Sequence, residues 1–252
     1  MIHIAILAAM PEEVGIFVNK FKLNNKKIFG DLTIYSGSWI SSEGKKFKLS
    51  LAWSGWGKVS AARAATRIID SKFKENNKVD FILFSGVAGA IKSDLKQWDI
   101  VIASGLIQHD FDARPLFDKF QIPALKKDIL KPNINQFNAI KEGLIRSKNN
   151  KKLDEFGSIN DGLIATGDQF ISGVNQIKKL KKEIINISAV EMEGAAVAQV
   201  AEQELIPWIV IRVISDNADD SAPNNFIEFL DKYKKFSSKI IEEILEIIDK
   251  VF

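Results

Sequence analysis

Short apolar runs alternate along the chain with stretches whose hydrophobic positions recur at helical spacing. Ile2–Ala9 is an apolar run of strand length, which predicts a strand buried on both faces. Pro11 suits a first helical turn, and Val14, Phe17, Val18 and Phe21 follow at helical spacing. Leu32–Trp39 and Lys46–Trp53 alternate as paired strands joined through Ser42-Glu43-Gly44. Lys58–Ser71 predicts a helix with Ala62, Ala65, Ile68 and Ile69 on one stripe, and Asp80–Ser85 and Asp99–Gln108 predict buried strands. His109–Pro132 carries Pro115, Pro123 and Pro132 without a period, and long excursions of this kind are more often functional than idle. Beyond it come a helix over Asn135–Lys148, a strand over Ser158–Thr166, a helix over Val174–Glu183 and a short strand over Ile187–Val190. An Ala-rich helix, Gly194–Leu205, stops before Pro207; Trp208–Ser215 is a strand; Phe226–Phe252 reads as one long amphipathic helix bearing Tyr233, Ile240, Ile244, Ile247 and Val251. The pattern predicts one α/β domain spanning 1–252, with a mixed, mostly parallel central sheet that includes an antiparallel hairpin.

Composition removes several classes of function. A chain of 252 residues that is 46% hydrophobic can bury a sizeable core. The absence of cysteine excludes disulfides, a zinc–thiolate site and a thiol nucleophile. A formal charge of +3, with Arg63, Arg67, Arg114, Arg146 and Arg212 as the arginines, is no nucleic-acid footprint. No apolar run approaches the roughly 18 residues needed to span a bilayer, and the first run lacks a basic leader. The expectation is a soluble, cytoplasmic protein without nucleic-acid or membrane partners.

The polar and glycine-bearing clusters fall at predicted strand ends. They are Met10-Pro11-Glu12-Glu13, Gly86-Val87-Ala88-Gly89, Thr166-Gly167-Asp168-Gln169-Phe170, Glu191-Met192-Glu193-Gly194 and Asp216-Asn217-Ala218-Asp219-Asp220. Ligands of open α/β sheets bind outside such ends, so the clusters should converge on one crevice. Gly86-x-x-Gly89 suits either backbone approach to a ligand or a tight strand-to-helix turn. Glu191 and Glu193 could accept hydrogen bonds from a vicinal diol such as a ribose, or simply supply acidity to a helix start. Asp216, at the end of an apolar strand, could be a desolvated general acid or a capping residue. Arg212 lies inside that strand and needs a partner, which Glu13 or Glu193 could supply. His3 sits far from the strand's carboxyl end, and His109-Asp110-Phe111-Asp112 lacks a second His or Cys, so no metal site is expected. A G-x-S-x-G elbow is absent, which argues against a Ser-His-Asp hydrolase. Lys151, Lys152, Lys178, Lys179, Lys181 and Lys182 read as solvated faces.

These residues resemble the purine nucleoside phosphorylase/nucleosidase superfamily, and within it the nucleosidases acting on 5′-methylthioadenosine and S-adenosylhomocysteine. The resemblance is carried by Ala9-Met10-Pro11-Glu12-Glu13-Val14, Ser54-Gly55-Trp56-Gly57-Lys58-Val59 and Ser85-Gly86-Val87-Ala88-Gly89. It continues through Thr166-Gly167-Asp168-Gln169-Phe170-Ile171, Val190-Glu191-Met192-Glu193-Gly194-Ala195-Ala196 and Arg212-Val213-Ile214-Ser215-Asp216. It implies a three-layer α/β/α sandwich, no cofactor and a homodimer. It also implies that Glu13 activates water and Asp216 protonates purine N7. Met192 and Glu193 resemble the ribose clamp; Phe170 would stack on the base, the Ile171 backbone would read the adenine edge, and Gly89 would line the nucleoside pocket. Arg212 resembles the arginine near the nucleophile, Phe226 the aromatic covering the base, and Ala113, Leu116, Phe117 and Pro123 the residues beside a neighbouring subunit's pocket.

Phosphorylases of this superfamily need a phosphate cradle built with arginine near the first strand's end. Met10-Pro11-Glu12-Glu13 and Phe84-Ser85 occupy those places here, so water is the expected nucleophile. Val87 stands where many such nucleosidases have serine, Trp56 replaces a smaller aliphatic residue, and Pro11 replaces a frequent glutamate. The alternatives are a nucleosidase for another 6-aminopurine nucleoside such as aminodeoxyfutalosine, a phosphorolytic enzyme, and a non-catalytic nucleoside-binding protein.

Overall fold

The computed structural model describes residues 1–14, 16–71, 78–219 and 222–250. Its strands and helices begin with β1 (His3–Ala8), α1 (Pro11–Val14), α2 (Phe17–Lys20), β2 (Asn25–Phe29), β3 (Leu32–Ile40), β4 (Lys46–Trp53) and α3 (Lys58–Asp70). They continue with β5 (Phe81–Ala90), β6 (Ile100–Gln108), β7 (Ile129–Leu130), α4 (Ile134–Asn149), β8 (Ile159–Thr166) and α5 (Val174–Glu183). The last are β9 (Ile187–Glu191), α6 (Gly194–Gln203), β10 (Trp208–Asp216), α7 (Ala222–Tyr233) and α8 (Ser237–Ile248). This is the expected α/β class, built on a mixed sheet in the order β10-β6-β8-β9-β5-β1-β4-β3-β2. An additional pairing of β10 with β5 closes the first five of these strands on themselves.

The periodicities explain the layers. β1 is buried at every position because β4 and β5 flank it in parallel register and helices cover both faces. One face carries α3 and α6, whose Ala61, Ala64, Ala65, Ala195 and Ala198 let the two helices pack against each other. The expected stripe on α3 is thus rotated by one position: Ala62 and Ile69 are partly buried at its margin. The other face is covered by α1, α4, α7 and α8, with Phe137, Ile140, Phe229, Tyr233, Ile240 and Ile244 in its core. Fully burying such side chains contributes about 1.5–3 kcal/mol each, which fixes the sheet that carries the site.

Several expectations need correction. The helix after Pro11 is two short helices, α1 and α2. The predicted long terminal helix is likewise α7 and α8, separated at Lys234–Phe236. The bend wraps the chain around the Trp98 indole, which Phe229, Tyr233 and Phe236 meet at ring distances of 4.6, 6.3 and 6.4 Å. Val251, placed on that helix, lies outside the described residues, as does Asp220 of the last acidic cluster. β2 was not foreseen at all. Most consequentially, β5 runs on through Gly86–Ala90, so Gly86 and Gly89 lie within a strand and form no strand-to-helix turn.

That extension opens the site. β1 pairs with β5 as far as Phe84, and β9 takes up pairing at Gly89, running antiparallel so that the carboxyl ends of β5 and β9 overlap. Over the interval between them a cleft forms, and the ends of β1, β5, β9 and β10 all reach it.

Candidate active site

The cleft is lined by Glu13, Gly89, Phe170, Ile171, Met192, Glu193, Asp216 and Phe226 together with Trp56, Val87, Gln169, Glu191 and Ser215. Every predicted site residue except Arg212 therefore shares one hollow. Arg212 is 1% exposed and stands behind the wall.

Glu13 comes from α1, directly after β1. Its Oε2 accepts the N–H groups of Ala9 at 2.6 Å and Met10 at 2.9 Å, while Oε1 accepts the Val87 N–H at 3.0 Å. The carboxylate thus takes the β5 amide that neither β1 nor β9 reaches. Burial pushes its pKa up, opposed by the Arg212 guanidinium and by the three backbone N–H groups. Gly86 makes room for it: a Cβ there would lie 2.6 Å from Glu13 Oε1 and 3.1 Å from Arg212 Nη1.

Glu191 and Glu193 divide the two roles that their sequence position left open. Glu191 serves the start of α6, its Oε2 accepting the N–H groups of Gly194 at 2.7 Å and Glu193 at 3.1 Å. The Thr166 hydroxyl donates to Glu191 Oε1 and accepts the Ala195 N–H at 2.8 Å. Glu193 is thereby released from capping and extends along the cleft wall, where its Oε1 accepts the Gly57 N–H at 2.8 Å. Arg212 donates from Nη2 to Glu191 Oε2 at 2.5 Å, and its guanidinium lies 4.1 Å from the Phe84 ring centroid. Its hydrogen-bonded partner is therefore Glu191, rather than the Glu13 or Glu193 expected. Three carboxyl groups around one guanidinium cannot all ionise cheaply. Burial, followed by repulsion from Glu191, pushes Glu193 up to about 8.

Asp216 stands on the opposite strand. A register shift between Ile214 and Asp216 lets consecutive residues Ser215 and Asp216 both line the cleft. Asp216 Oδ2 accepts from the Ser215 hydroxyl at 2.6 Å and Oδ1 from the Ala218 N–H at 2.8 Å. Burial raises its pKa; these two bonds oppose the shift and Asp219 adds to it. The cleft thus pairs a buried carboxyl beside a guanidinium with a second buried carboxyl beside Asp219. Such a pair can draw a proton on one side of a bound molecule and supply one on the other.

The mouth is aromatic. Phe170 meets Phe226 edge-on at 5.7 Å, and Phe226 meets Trp56 at 6.1 Å and 84°. This trio offers flat apolar faces to a planar base. Phe226 reaches the mouth from α7, the first of the two helices into which the expected helix divides. Gly86 and Thr166 stood in clusters expected at the crevice but without a role of their own, and Ser215 was given none; a glycine inside a β-branched and aromatic run was the available signal for the first. Among the described residues no group of three or more His, Asp or Glu side chains is arranged to hold a metal. His109 is buried against Gly167, and Asp110 is bonded to Lys58.

Residues 3–246 match the family described as the phosphorylase superfamily. The chain is 35% identical over 247 residues to the 5′-methylthioadenosine/S-adenosylhomocysteine nucleosidase of Staphylococcus haemolyticus, covering 97% of this chain and 100% of that one. Its structure superposes on the S-adenosylhomocysteine nucleosidase of Streptococcus pyogenes, solved with 5-methylthiotubericidin, with a TM-score of 0.84 at 32% identity, covering 97% of this chain and 96% of the other. The futalosine hydrolase of Helicobacter pylori is also similar, with a TM-score of 0.82 at 30% identity and 97% of both chains covered.

Proposed function

The chain belongs to the phosphorylase superfamily, and from that premise we propose that it is a hydrolase cleaving the N-glycosidic bond of 5′-methylthioadenosine and S-adenosylhomocysteine to release adenine. The observation that carries the reading is the placement of Glu13 and Asp216 in one cleft, with the Arg212 guanidinium opposing the upward push of burial at Glu13 and Asp219 adding to it at Asp216. N-glycosidic cleavage passes through a sugar with oxocarbenium character, so it needs a nucleophile made ready on one face and a leaving base neutralised. Glu13 takes the proton of the attacking water, and Asp216 gives its proton to purine N7. Glu193 with Met192 holds the ribose hydroxyls. Phe170 and Phe226 enclose the base, the Ile171 backbone meets the adenine edge, and Gly89 keeps the wall beside Asp216 thin. Arg212 acts from behind the wall, orienting Glu191 and stabilising ionised Glu13.

Hydrolysis is favoured over phosphorolysis because the Arg212 guanidinium is occupied by Glu191 and Glu13 would repel a phosphate dianion. Adenine release from 5′-methylthioadenosine is expected to proceed without phosphate and to be unchanged by adding it; phosphate-dependent release would overturn the assignment. The likeness to futalosine hydrolase makes aminodeoxyfutalosine the competing substrate, and a higher kcat/KM for it would reassign the enzyme within its family. On the same reading the protein is a single cytoplasmic domain of methionine salvage, working as a homodimer. Ala113, Leu116, Phe117 and Pro123 then lie beside the partner's pocket, a role suited to Leu116 at 83% exposure. Among the described residues no helix is long and apolar enough to cross a membrane.

Gly86→Ala tests the wall behind Glu13. The added methyl must displace the carboxyl, so kcat is expected to fall about tenfold or more with a smaller change in KM. Unaltered turnover would mean that Glu13 can move without consequence.

A further inference from the structure

Three side chains next to the cleft, none of them lining it, form a latch between its two sides. Lys58 opens α3, directly after Gly57, whose N–H holds Glu193. Its Nζ donates to Asp110 Oδ1 at 2.6 Å and lies 3.9 Å from Asp168 Oδ2. The Lys58 backbone N–H donates to Asp168 Oδ1 at 2.7 Å, and the Asp168 N–H donates to Asp110 Oδ2 at 2.9 Å. Asp168 lies two residues before Phe170. The same ion cluster therefore joins the loop that fixes Glu193 to the loop that presents the stacking aromatic.

The local chemistry at α3 is unusual for a helix start. A lysine in the first turn opposes the macrodipole, and that turn holds no acidic residue of its own. Its exposed N–H groups are capped instead by carboxylates from elsewhere, Glu193 at Gly57 and Asp168 at Lys58. Gly57 has φ +91, and a Cβ there would lie 3.0 Å from Asp168 Oδ1, so the turn is shaped to bring Asp168 close. Isolated surface ion pairs contribute little. This one is different in kind, because the Lys58 side chain is 17% exposed and two backbone N–H bonds, from Lys58 to Asp168 and from Asp168 to Asp110, tie the three residues together. Burial alone would push the Asp110 carboxyl up, and Lys58 with the Asp168 N–H reverses that.

We infer that Lys58 and Asp168 are positioning residues that keep the sugar-binding and base-binding walls in register, so that recognition of the sugar hydroxyls by Glu193 depends on an ion cluster outside the cleft. The inference rests on the proposed ribose role of Glu193 and goes beyond it by assigning what holds that residue in place.

The test compares kcat/KM for 5′-methylthioadenosine with that for its 2′,3′-dideoxy counterpart. Lys58→Met is expected to lower the preference for the hydroxylated substrate about tenfold, mainly through KM, and Lys58→Arg to restore most of it. An equal loss for both substrates would reduce Lys58 to a structural role and overturn the latch. If Lys58→Met does not fold, Asp110→Asn removes the same cluster from the other side and is read by the same ratio. Glu193→Gln separates the two layers of the argument. If it leaves the ratio intact, the ribose assignment falls and the latch with it; if it lowers the ratio while Lys58→Met does not, the latch alone falls.

Discussion

Asp216→Asn is expected to cut the rate of adenine release by about 10³-fold while leaving the fold intact, in line with the 10²–10⁴ that general acid catalysis supplies. The amide preserves the local bonding: its oxygen still accepts the Ala218 N–H, and its nitrogen can donate to the Ser215 hydroxyl. What it loses is a proton that can be surrendered to N7 as the bond to the sugar lengthens. Nucleoside affinity should change by only a few-fold, because the other lining groups remain. The pH profile gives an independent readout. Asp216 must be protonated to act, so activity falls as pH rises through its folded pKa. Burial moves that alkaline limb above the ordinary aspartate range. The limb should vanish in the variant, and near-native turnover at neutral pH would remove Asp216 from the mechanism.

Glu13→Gln is expected to lower kcat by about 10²-fold or more, with KM less affected. Glutamate accepts three backbone N–H groups through two oxygens. The glutamine nitrogen must face at least one of them, donor against donor, and the neutral side chain no longer balances Arg212. The variant should therefore also lose some thermal stability. Glu13 works ionised, so the wild-type rate falls as pH drops through its pKa, and this acid limb should disappear. A variant that binds poorly but turns over normally would move Glu13 from proton transfer to binding.

Much of this arrangement was legible in the chain because parallel strands buried on both faces write themselves as apolar runs. The polar residues that interrupt those runs at Glu13, Glu191, Glu193 and Asp216 stand out by contrast. β2 escaped notice because an edge strand with exposed Asn25, Lys26 and Ile28 needs no apolar alternation. The extension of β5 through Gly86 and Gly89 was hidden by glycine's low strand preference, which pairing with β10 and β9 overrides. The division of the terminal helix carries no proline or glycine signal; hydrophobic spacing continues smoothly across Lys234–Phe236, and only packing around Trp98 reveals the bend. The choice of Glu191 over its neighbours as the partner of Arg212 depends on the approach of two side chains 21 residues apart in the chain, a matter of three dimensions.

The interval on β5 between its two neighbours bears on how such a site can change over time. A ladder left open inside a protein is a seam, and here a side-chain carboxylate stitches it by standing in for the missing strand. Position 13 is therefore under double duty: a replacement must close the seam as well as perform chemistry. Drift in substrate choice is far easier at Trp56, Phe170 and Phe226, which owe the backbone nothing.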